Sequence, residues 1–346
     1  MCSYEDRDGY IVRVNVSQPQ RDSHFGVNLS SVLPWYKAFN LFAQLLHSQR
    51  FLAIYKLKPG DILTFDNLRI CHGREAYGMS ESSPKVIERH VKGAYMDWDE
   101  VSEDKSTLTL TWEDGHQSAF EADWLNERAF TPRARINRLS NYRGNRVLWD
   151  AKDFARISDN TNMSESSWSF PFDDILSKDS SLLAWLEYLE NWGIAMIVGA
   201  EPCNGQLRKL AERVAFVRRT HYGELFSVRA KDEPSNVAYT SDKLQLHTDL
   251  PYYEYKPGVN MLQCIVQWAG PGGENHLVDS FAVAELMRQE HPKEYEILSK
   301  TIVDWVDIGK EPVGEDDGSV SAVKQERKAF HSIYRAPVIW YVVLFV

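Results

Sequence analysis

Leu246-His247-Thr248-Asp249-Leu250 contains a histidine and an aspartate two residues apart. Side chains two residues apart on an extended segment point to the same side, so His247 and Asp249 face one way and Thr248 faces the other. An imidazole and a carboxylate placed like this can share one divalent metal ion. A second histidine would complete the site that holds non-haem Fe(II) and leaves positions open for a co-substrate and oxygen. Without it, a His-x-Asp pair is most often an ordinary polar pair at the end of a strand.

The composition is typical of a globular chain. Its 346 residues are 43% apolar and 12% aromatic, which is enough to form one large domain or two smaller ones. A formal net charge of -10 with mixed signs argues against a nucleic-acid partner, because binding to phosphates needs clustered Lys and Arg. The four cysteines include no Cys-x-x-Cys pair, so we expect a reducing compartment and no disulfide framework.

Two stretches bear on membranes and location. Residues 1–10 are polar and charged, without a secretory signal, and the apolar run at 336–346 is too short to cross a bilayer. We therefore expect a cytoplasmic protein with no membrane partner. Residues 328–346 show neither strand alternation nor helical spacing, so we expect them to form an exposed apolar tail.

Short strands separated by turn residues make up most of the pattern. Residues 10–16 alternate as a half-buried strand does, and 259–266 form another strand after a Lys-Pro-Gly turn. Helical spacing appears at 35–46 and 182–192, apart from the strands. Many strands with separate helices predict a mixed α+β fold, namely a double-stranded β-helix (jelly-roll) barrel with supporting helices.

His72 and Arg89 are candidates to complete a metal site. A histidine at the end of a strand can supply a third ligand, and an arginine on a neighbouring strand can bind a carboxylate through its planar guanidinium. Taken singly, His72 is more often a buried, hydrogen-bonded histidine, and Arg89 is more often the partner in a surface ion pair. No Gly-x-Ser-x-Gly nucleophile elbow is present, which leaves a hydrolase without support.

Several motifs, taken together, resemble the γ-butyrobetaine dioxygenase family. Its members are Fe(II)- and 2-oxoglutarate-dependent hydroxylases, and the trimethyllysine dioxygenases are its sister family. The resemblance extends from Gly9 to about Asp307. The motifs are Asn236-Val237-Ala238-Tyr239-Thr240, His247-Thr248-Asp249, Pro257-Gly258-Val259, Phe65-Asp66-Asn67-x-Arg69 with His72-Gly73-Arg74, and Arg89-His90-x-x-Gly93-Ala94-Tyr95-x-Asp97-Trp98.

The resemblance implies a role for each matching residue. Fe(II) would be bound by His247, Asp249 and His72, and the 5-carboxylate of 2-oxoglutarate would pair with Arg89. A trimethylammonium head group would be held by cation–π attraction in an aromatic cage, with an amide on the same wall. The cage residues and the amide are Tyr222, Phe226, Tyr239, Tyr95 and Asn236. Phe226 stands where the family has tryptophan, which implies a somewhat weaker cage.

The family's segments stand here in reversed order. In the family the His-x-Asp pair precedes the second histidine, whereas here it follows. We interpret the chain as a permuted enzyme, or as the end of one gene copy joined to the beginning of the next. The expected divisions are a C-terminal-type half of the barrel at 1–102, a remnant of a small N-terminal-type β domain with a linker at 103–150, the first half of the barrel at 151–327, and a non-family apolar tail at 328–346.

A structural zinc ion is predicted to be absent. The family's small domain holds zinc through cysteines and one histidine. His116 lies in Trp112-Glu113-Asp114-Gly115-His116, which resembles the segment with that histidine, but the cysteines that would precede it are missing.

Three functions remain open. The resemblance favours hydroxylation of γ-butyrobetaine to L-carnitine, with 2-oxoglutarate decarboxylated to succinate and ascorbate as a further cofactor. The alternatives are the same chemistry on trimethyllysine, or an inactive chain that keeps only quaternary-ammonium binding or dimerisation. The expected partners are a small quaternary-ammonium substrate and a second copy of the chain in a homodimer. The site would be assembled either within one chain or between two.

Overall fold

The computed structural model describes residues 9–22, 28–77, 89–96, 107–111, 117–121, 125, 145–158, 168–230, 237–312 and 327–343. Its strands are β1 Gly9–Val14, β2 Ala53–Tyr55, β3 Ile62–Asp66, β4 Ile70–Arg74, β5 His90–Met96, β6 Thr107–Thr111, β7 Gln117–Glu121, β8 Ser169–Pro171, β9 Ile194–Val198, β10 Leu225–Val228, β11 Leu244–His247, β12 Val259–Val266, β13 Asn275–Asp279, β14 Val303–Pro312, β15 Arg327–Ala336 and β16 Ile339–Val343. Its helices are α1 Leu29–Leu46, α2 Ala151–Ser158, α3 Phe172–Ser177, α4 Asp179–Trp192, α5 Gln206–Val214, α6 Ser280–Glu290 and α7 Pro292–Lys300, with a short 3-10 helix at Val237–Tyr239.

Two sheets contain the strands that surround the candidate site. The larger sheet has the strand order β10-β5-β12-β3-β9-β8, and the smaller sheet has the order β11-β4-β13-β2. In both sheets, strands from before residue 100 lie between strands from after residue 168 or pair with them at an edge. For example, β3 lies between β12 and β9, and β4 lies between β11 and β13. The two parts of the chain therefore form one folded body within a single chain.

The two sheets pack against each other through a shared apolar core. Leu63 and Phe65 of β3 lie in one buried cluster with Leu277 of β13 and Ala53 of β2. All five residues of β3 are buried, and because successive residues of a strand point to opposite faces, both faces of β3 are covered. Packed sheets with separate helices confirm the mixed α and β composition of the fold, while the connectivity of a double-stranded β-helix stays a prediction.

Helix α1 buries its apolar face against α7 and the smaller sheet. Phe39 and Leu298 share one buried cluster with Cys71 of β4 and Val278 of β13. The helix begins at Leu29, earlier than the start at residue 35 predicted from hydrophobic spacing. Leu29 is 88% exposed, so the additional first turn contributes little to the core and leaves no apolar pattern in the sequence.

A buried ion pair fixes the start of β4. Arg69 donates from Nε and Nη2 to the two carboxylate oxygens of Asp279, at 3.1 and 2.8 Å, and both side chains are fully buried. Planar, two-pronged contacts of this kind are among the stronger hydrogen bonds in proteins. Asp279 also caps α6, because its side chain accepts hydrogen bonds from the backbone N–H groups of Phe281 and Ala282. The ion pair thus holds β4, β13 and α6 in fixed positions.

The last described segment is part of the fold. β15 pairs along its whole length with β14, β16 pairs with β1, and Val338 and Ile339 are fully buried. The expectation of an exposed apolar tail at 328–346 is therefore wrong for the described residues. Along β15 the more buried and more exposed positions alternate, but the polar and apolar residues do not alternate with them. Ser332 is partly buried and donates to the backbone oxygen of Tyr252 at 3.0 Å, whereas Ile333 is 54% exposed.

One hairpin is described in the region between the two parts of the barrel. Strands β6 and β7 pair antiparallel, from Thr107 with Glu121 to Thr111 with Gln117. His116 lies outside the described residues, so the remnant domain at 103–150 and the absence of zinc stay predictions. None of the helices in the described ranges has the length and apolar character needed to span a bilayer.

Candidate metal centre

Three side chains converge on one point beside the smaller sheet. Each of His72, His247 and Asp249 offers one ligand atom, and these atoms lie within 4.8 Å of one another. The Nε2 atoms of His72 and His247 are 3.3 and 3.2 Å from Oδ1 of Asp249. Within the part of the chain that the structure describes, no other group of three His, Cys, Asp or Glu side chains is close enough to hold a metal ion. The structure brings together the three candidate ligands that the sequence indicated.

Strand pairing explains why two histidines far apart in the sequence meet. β4 and β11 are antiparallel neighbours, and His72 lies directly opposite His247. Opposed side chains in such a pair start about 5 Å apart at Cβ, and here the ring centroids are 4.2 Å apart. Thr248 points away from the imidazoles, and its hydroxyl donates to the backbone oxygen of Val14 at 3.3 Å. This is the alternation that the His-x-Asp spacing predicts.

Donors next to the ligand segment orient the carboxylate of Asp249. Its Oδ2 accepts hydrogen bonds from the hydroxyl of Tyr95 at 2.8 Å and from Nδ2 of Asn260 at 2.6 Å. Asn67 accepts from the backbone N–H of Asp249 at 2.8 Å and donates to its backbone oxygen at 3.1 Å. Because Oδ2 is occupied twice, Oδ1 is left facing the two imidazoles. Asp249 is therefore positioned to bind a metal ion through one oxygen atom.

The backbone around His247 fixes the ring and its tautomer. Nδ1 of His247 lies 2.8 Å from the backbone oxygen of Gln245, which can only accept, so Nδ1 is the donor and Nε2 is the ring nitrogen that faces Asp249. Leu250, just after the ligand segment, is buried and has a left-handed φ of 53°. A branched residue rarely adopts this conformation unless its surroundings impose it. The ligand segment is thus held at both ends.

Burial and neighbouring side chains shift the pKa values of Asp249 and His72. Burial by itself would raise the pKa of Asp249, but the neighbouring imidazoles of His72 and His247 outweigh burial and hold the pKa well below its ordinary value. Burial is also the main cause that lowers the pKa of His72, and the nearby His247 adds to it. Near neutral pH the site therefore presents an ionised carboxylate and a neutral His72, which are the forms that bind metal ions.

This set of donors fits a ferrous ion. Two imidazole nitrogens and one carboxylate oxygen on one side of a site are the ligands of non-haem Fe(II) oxygenases. Nε2 of His72 is buried without a well-formed hydrogen bond, and a buried polar atom in this state calls for a missing partner. The three side chains also line a cavity that leaves space for a co-substrate beside them.

Arg89 lines the same cavity as the three candidate ligands. Its side chain is buried, its Nη2 donates to the amide oxygen of Asn275 at 3.4 Å, and its Nε has no partner. Burial lowers the pKa of Arg89. Among the described residues no carboxylate lies within ion-pair distance of this guanidinium. A buried arginine without a counter-ion is suited to bind an incoming carboxylate.

Arg74, a second arginine at the cavity, binds backbone oxygens of the protein itself. Arg74 donates from Nη2 to the backbone oxygens of Thr240 and Asp242, at 2.9 and 2.7 Å, and lies over the ring of Tyr77 at 4.8 Å. These contacts tie β4 to the segment that contains Tyr239. The motif His72-Gly73-Arg74 drew attention to Arg74 in the sequence. Its hydrogen bonds to backbone oxygens could not be predicted, because such bonds require no particular residue type in the partner.

The four aromatic side chains expected to form a cage all line the cavity, whose volume is about 460 Å³. Small-molecule sites fall in the range of roughly 300–1,000 Å³. The ring centroids of Tyr95 and Phe226 are 5.2 Å apart, and those of Tyr222 and Phe226 are 5.7 Å apart. Tyr239 reaches the cavity from the short 3-10 helix. Asn236 lies outside the described residues, and its role stays a prediction.

The ring of Phe226 lies flat on β5 because its partner across the strands is Gly93. A Cβ atom built on Gly93 would come within 2.2 Å of Cζ of Phe226. No side chain fits in this space unless the ring moves. Glycine at position 93 is therefore required by the position of one cage residue.

Asn260 and Asp307 are residues of the site that sequence reasoning did not identify. Asn260 lies within β12 and holds the carboxylate of Asp249. Asp307 lies in β14 and lines the cavity. Single polar residues in a strand carry no spacing signal, and only the folded chain shows what they touch.

Known proteins match this chain in sequence. A family model described as taurine catabolism dioxygenase TauD, TfdA family, matches residues 3–95 and 156–344. The chain is 34% identical to gamma-butyrobetaine dioxygenase of Homo sapiens, over 60% of this chain and 50% of that protein. It is also 34% identical to gamma-butyrobetaine dioxygenase of Pseudomonas sp. (strain AK-1), over 58% of this chain and 49% of that protein. The mitochondrial trimethyllysine dioxygenase of Mus musculus is 26% identical over 83% of this chain and 66% of that protein.

The extent of these matches bears on the expected divisions of the chain. The chain spans about half the length of the gamma-butyrobetaine dioxygenases that it matches. The family model reaches residue 344, so the expectation that 328–346 lies outside the family is wrong. The reversed order of the two parts and the other domain bounds stay predictions.

Proposed function

This chain belongs to the taurine catabolism dioxygenase TauD, TfdA family, and on that basis we propose that it is an Fe(II)- and 2-oxoglutarate-dependent hydroxylase of γ-butyrobetaine. One observation carries the proposal: the ligand atoms of His72, His247 and Asp249 lie within 4.8 Å of one another in a single chain. The same cavity contains four aromatic side chains and a buried arginine that has no carboxylate within ion-pair distance among the described residues.

Different residues would bind the metal ion and the co-substrate. His72, His247 and Asp249 would hold the metal, and Arg89 would bind the distal carboxylate of 2-oxoglutarate through its guanidinium. Bound iron would let oxygen react with 2-oxoglutarate, so that one oxygen atom enters succinate as CO2 leaves and the other enters the hydroxylated substrate. Tyr95 would act at two places, since it orients Asp249 through its hydroxyl and presents its ring to the substrate. The protein thus fixes the distance between the metal and the substrate.

The aromatic side chains support a quaternary-ammonium substrate. A trimethylammonium group lacks hydrogen-bond donors, so aromatic faces are the means by which proteins bind it. Tyr95, Tyr222, Phe226 and Tyr239 supply such faces around the cavity. The relatives in the comparisons are named for γ-butyrobetaine and trimethyllysine, and both of these compounds carry this head group.

Coupled turnover tests the proposal. The chain is loaded with Fe(II) without oxygen, then mixed with 2-oxoglutarate, ascorbate, oxygen and γ-butyrobetaine. We expect equal amounts of succinate and of a product that is heavier by one oxygen atom. Succinate at the level of a substrate-free control, from a chain that has bound iron, would contradict the proposal and favour the inactive chain.

Two variants make the test specific to the metal centre. His72→Gln should abolish coupled turnover. His276→Gln should retain it, because His276 is also a buried histidine of the smaller sheet but does not line the cavity. Equal loss in both variants would show that the assay reports damage to the fold.

Trimethyllysine is the second candidate substrate. The match to the mouse trimethyllysine dioxygenase covers 83% of this chain, more than the matches to the gamma-butyrobetaine dioxygenases. Their higher identity, 34% against 26%, favours γ-butyrobetaine. Parallel assays with both compounds at limiting concentration measure the ratio of kcat/KM, which we expect to favour γ-butyrobetaine.

We further propose a cytoplasmic homodimer that uses ascorbate. Sedimentation at micromolar concentration measures the assembly, and omission of ascorbate measures the need for a reductant.

A further inference from the structure

Asp307 is a half-buried carboxylate in the wall of the cavity. It lies in β14, and its side chain accepts hydrogen bonds from the hydroxyl of Tyr252, from the backbone N–H of Ile308 and from Nε2 of Gln20, the last at 3.5 Å. Among the described residues no Lys, Arg or His lies within ion-pair distance of it. The cavity wall therefore contains a carboxylate that no cation of the described chain neutralises.

A chain of hydrogen bonds connects this carboxylate to the expected cage. The hydroxyl of the buried Tyr252 lies 3.4 Å from Nε2 of His221. It also has the carboxylate of Asp307 and the hydroxyl of Tyr222 as neighbours with which it can form hydrogen bonds. Burial and these two neighbours raise the pKa of Tyr252, so its hydroxyl stays protonated and can donate to the carboxylate. The ring of Tyr222 in turn lies 5.7 Å from that of Phe226. The charge of Asp307 is thus linked to the aromatic wall through two phenol groups.

Asp307 and Arg89 contact different parts of the wall. Arg89 contacts Asn275 and lies 5.9 Å from the ring centroid of Tyr77, whereas Asp307 contacts Tyr252 and Gln20. The cavity wall therefore contains both a cationic and an anionic side chain, and the two have different neighbours. A ligand pair made of a dicarboxylate and a cation would match both regions, while two anionic ligands would match only one.

We propose that Asp307 is a specificity-determining residue that favours a cationic head group over a neutral one of the same shape. The proposal rests on the proposed function, because it assigns the cation to the substrate of that site. Aromatic faces attract a trimethylammonium group through cation–π interaction, but they also bury a tert-butyl group of equal size, so the cage by itself admits both. A carboxylate in the wall attracts only the cation, and hydrogen bonds from Tyr222 and Tyr252 pass part of its charge to the rings.

Equilibrium binding of two matched ligands tests this. The chain is loaded with Fe(II) and 2-oxoglutarate without oxygen and titrated in a calorimeter with γ-butyrobetaine and with 5,5-dimethylhexanoate, in which carbon replaces nitrogen. We expect Asp307→Asn to weaken γ-butyrobetaine about tenfold, the size of effect that a unit charge several ångströms away has in a partly buried site. Binding of the neutral-headed ligand should change less than threefold. Tyr252→Phe, which keeps the ring but breaks the hydrogen-bonded connection, should change the ratio in the same direction.

Asp304→Asn is the matched control. Asp304 lies in the same strand, but it pairs with Arg335 at 2.6 Å and does not line the cavity, so the variant should bind both ligands as the unaltered chain does. Unchanged affinities for both ligands in Asp307→Asn would overturn the inference. Equal weakening of both ligands would also overturn it, because it would assign Asp307 a purely structural role in the β14–β15 hairpin. If the unaltered chain bound neither ligand, the proposed function itself would fail, and this outcome is distinct from the other two.

Discussion

Asn260 offers the most direct test of how the carboxylate ligand is oriented. Its side chain is fully buried in β12 and donates to Oδ2 of Asp249 at 2.6 Å, opposite the oxygen that faces the histidines. Asn260→Leu keeps the approximate volume and removes the donor. The carboxylate then keeps only the hydroxyl of Tyr95 on Oδ2, at 2.8 Å, and can rotate away from the metal position.

The magnitude follows from the kind of hydrogen bond that is lost. A hydrogen bond to a charged group contributes about 1.5–3 kcal/mol. At about 1.4 kcal/mol for each factor of ten, this corresponds to a loss of about 10- to 100-fold in the affinity for Fe(II). The range is the same as that seen when hydrogen-bond partners of metal ligands are removed in other proteins.

Anaerobic titration with Fe(II), followed by equilibrium dialysis, measures the dissociation constant. Gln263→Leu is the matched control, because Gln263 is a buried amide of the same strand that donates to the backbone oxygens of Glu201 and Cys203 instead. We expect the control to lose thermal stability but to keep its affinity for iron. Equal affinities in Asn260→Leu and Gln263→Leu, with both chains folded, would refute the account of how Asp249 is oriented.

Three further changes have defined outcomes. Arg89→Lys keeps the charge but loses the planar pair of donors, so the KM for 2-oxoglutarate should rise about 10- to 100-fold with a smaller change in kcat. Gly93→Ala places a methyl group against the ring of Phe226, so the melting temperature should fall, with a cost of about 1–3 kcal/mol, and γ-butyrobetaine should bind more weakly. Burial lowers the pKa of His221 to about 4, below its unfolded value of about 6.5, so the unfolded chain binds a proton that the folded chain does not. The free energy of unfolding should therefore decrease by up to about 3 kcal/mol as the pH falls from about 6.5 to 4, and His221→Gln should remove this slope in urea titrations.

Each of these outcomes can fail separately. An unchanged KM for 2-oxoglutarate in Arg89→Lys would remove the arginine from the co-substrate site. A melting temperature for Gly93→Ala equal to that of the unaltered chain would show that the ring of Phe226 moves freely. The same pH slope with and without His221 would assign the slope to other groups.

The sequence was most informative where function constrains spacing. The spacing of two residues was enough to predict that the side chains of His247 and Asp249 lie on the same side of the strand. The structure has this arrangement. His72 could be chosen among the ten histidines only through its resemblance to a known motif, because pairing between β4 and β11 joins residues with no local relation. Tyr95 was expected only in the cage, yet it also donates to Asp249.

The error at the end of the chain has a physical cause. The prediction of an exposed tail relied on the pattern of polar and apolar residues. That pattern indicates burial only when apolar residues face inward and polar residues face outward. In β15 the inward position of Ser332 is satisfied by a backbone oxygen, and the outward Ile333 is left exposed. In β16, Ile339 is buried at the pairing with β1, a strand from the other end of the chain. Neither contact has a local signal.

The central claim is that His72, His247 and Asp249 of one and the same chain hold a single Fe(II) ion. The measurement that tests it most directly is the iron content of His72→Ala and His247→Ala chains, each alone and after unfolding and refolding as a mixture, against the unaltered chain. The account predicts one iron per unaltered chain, and none in either variant or in the mixture. Recovery of iron in the refolded mixture would contradict it, because only a site built from two chains could combine the intact His72 of one with the intact His247 of the other.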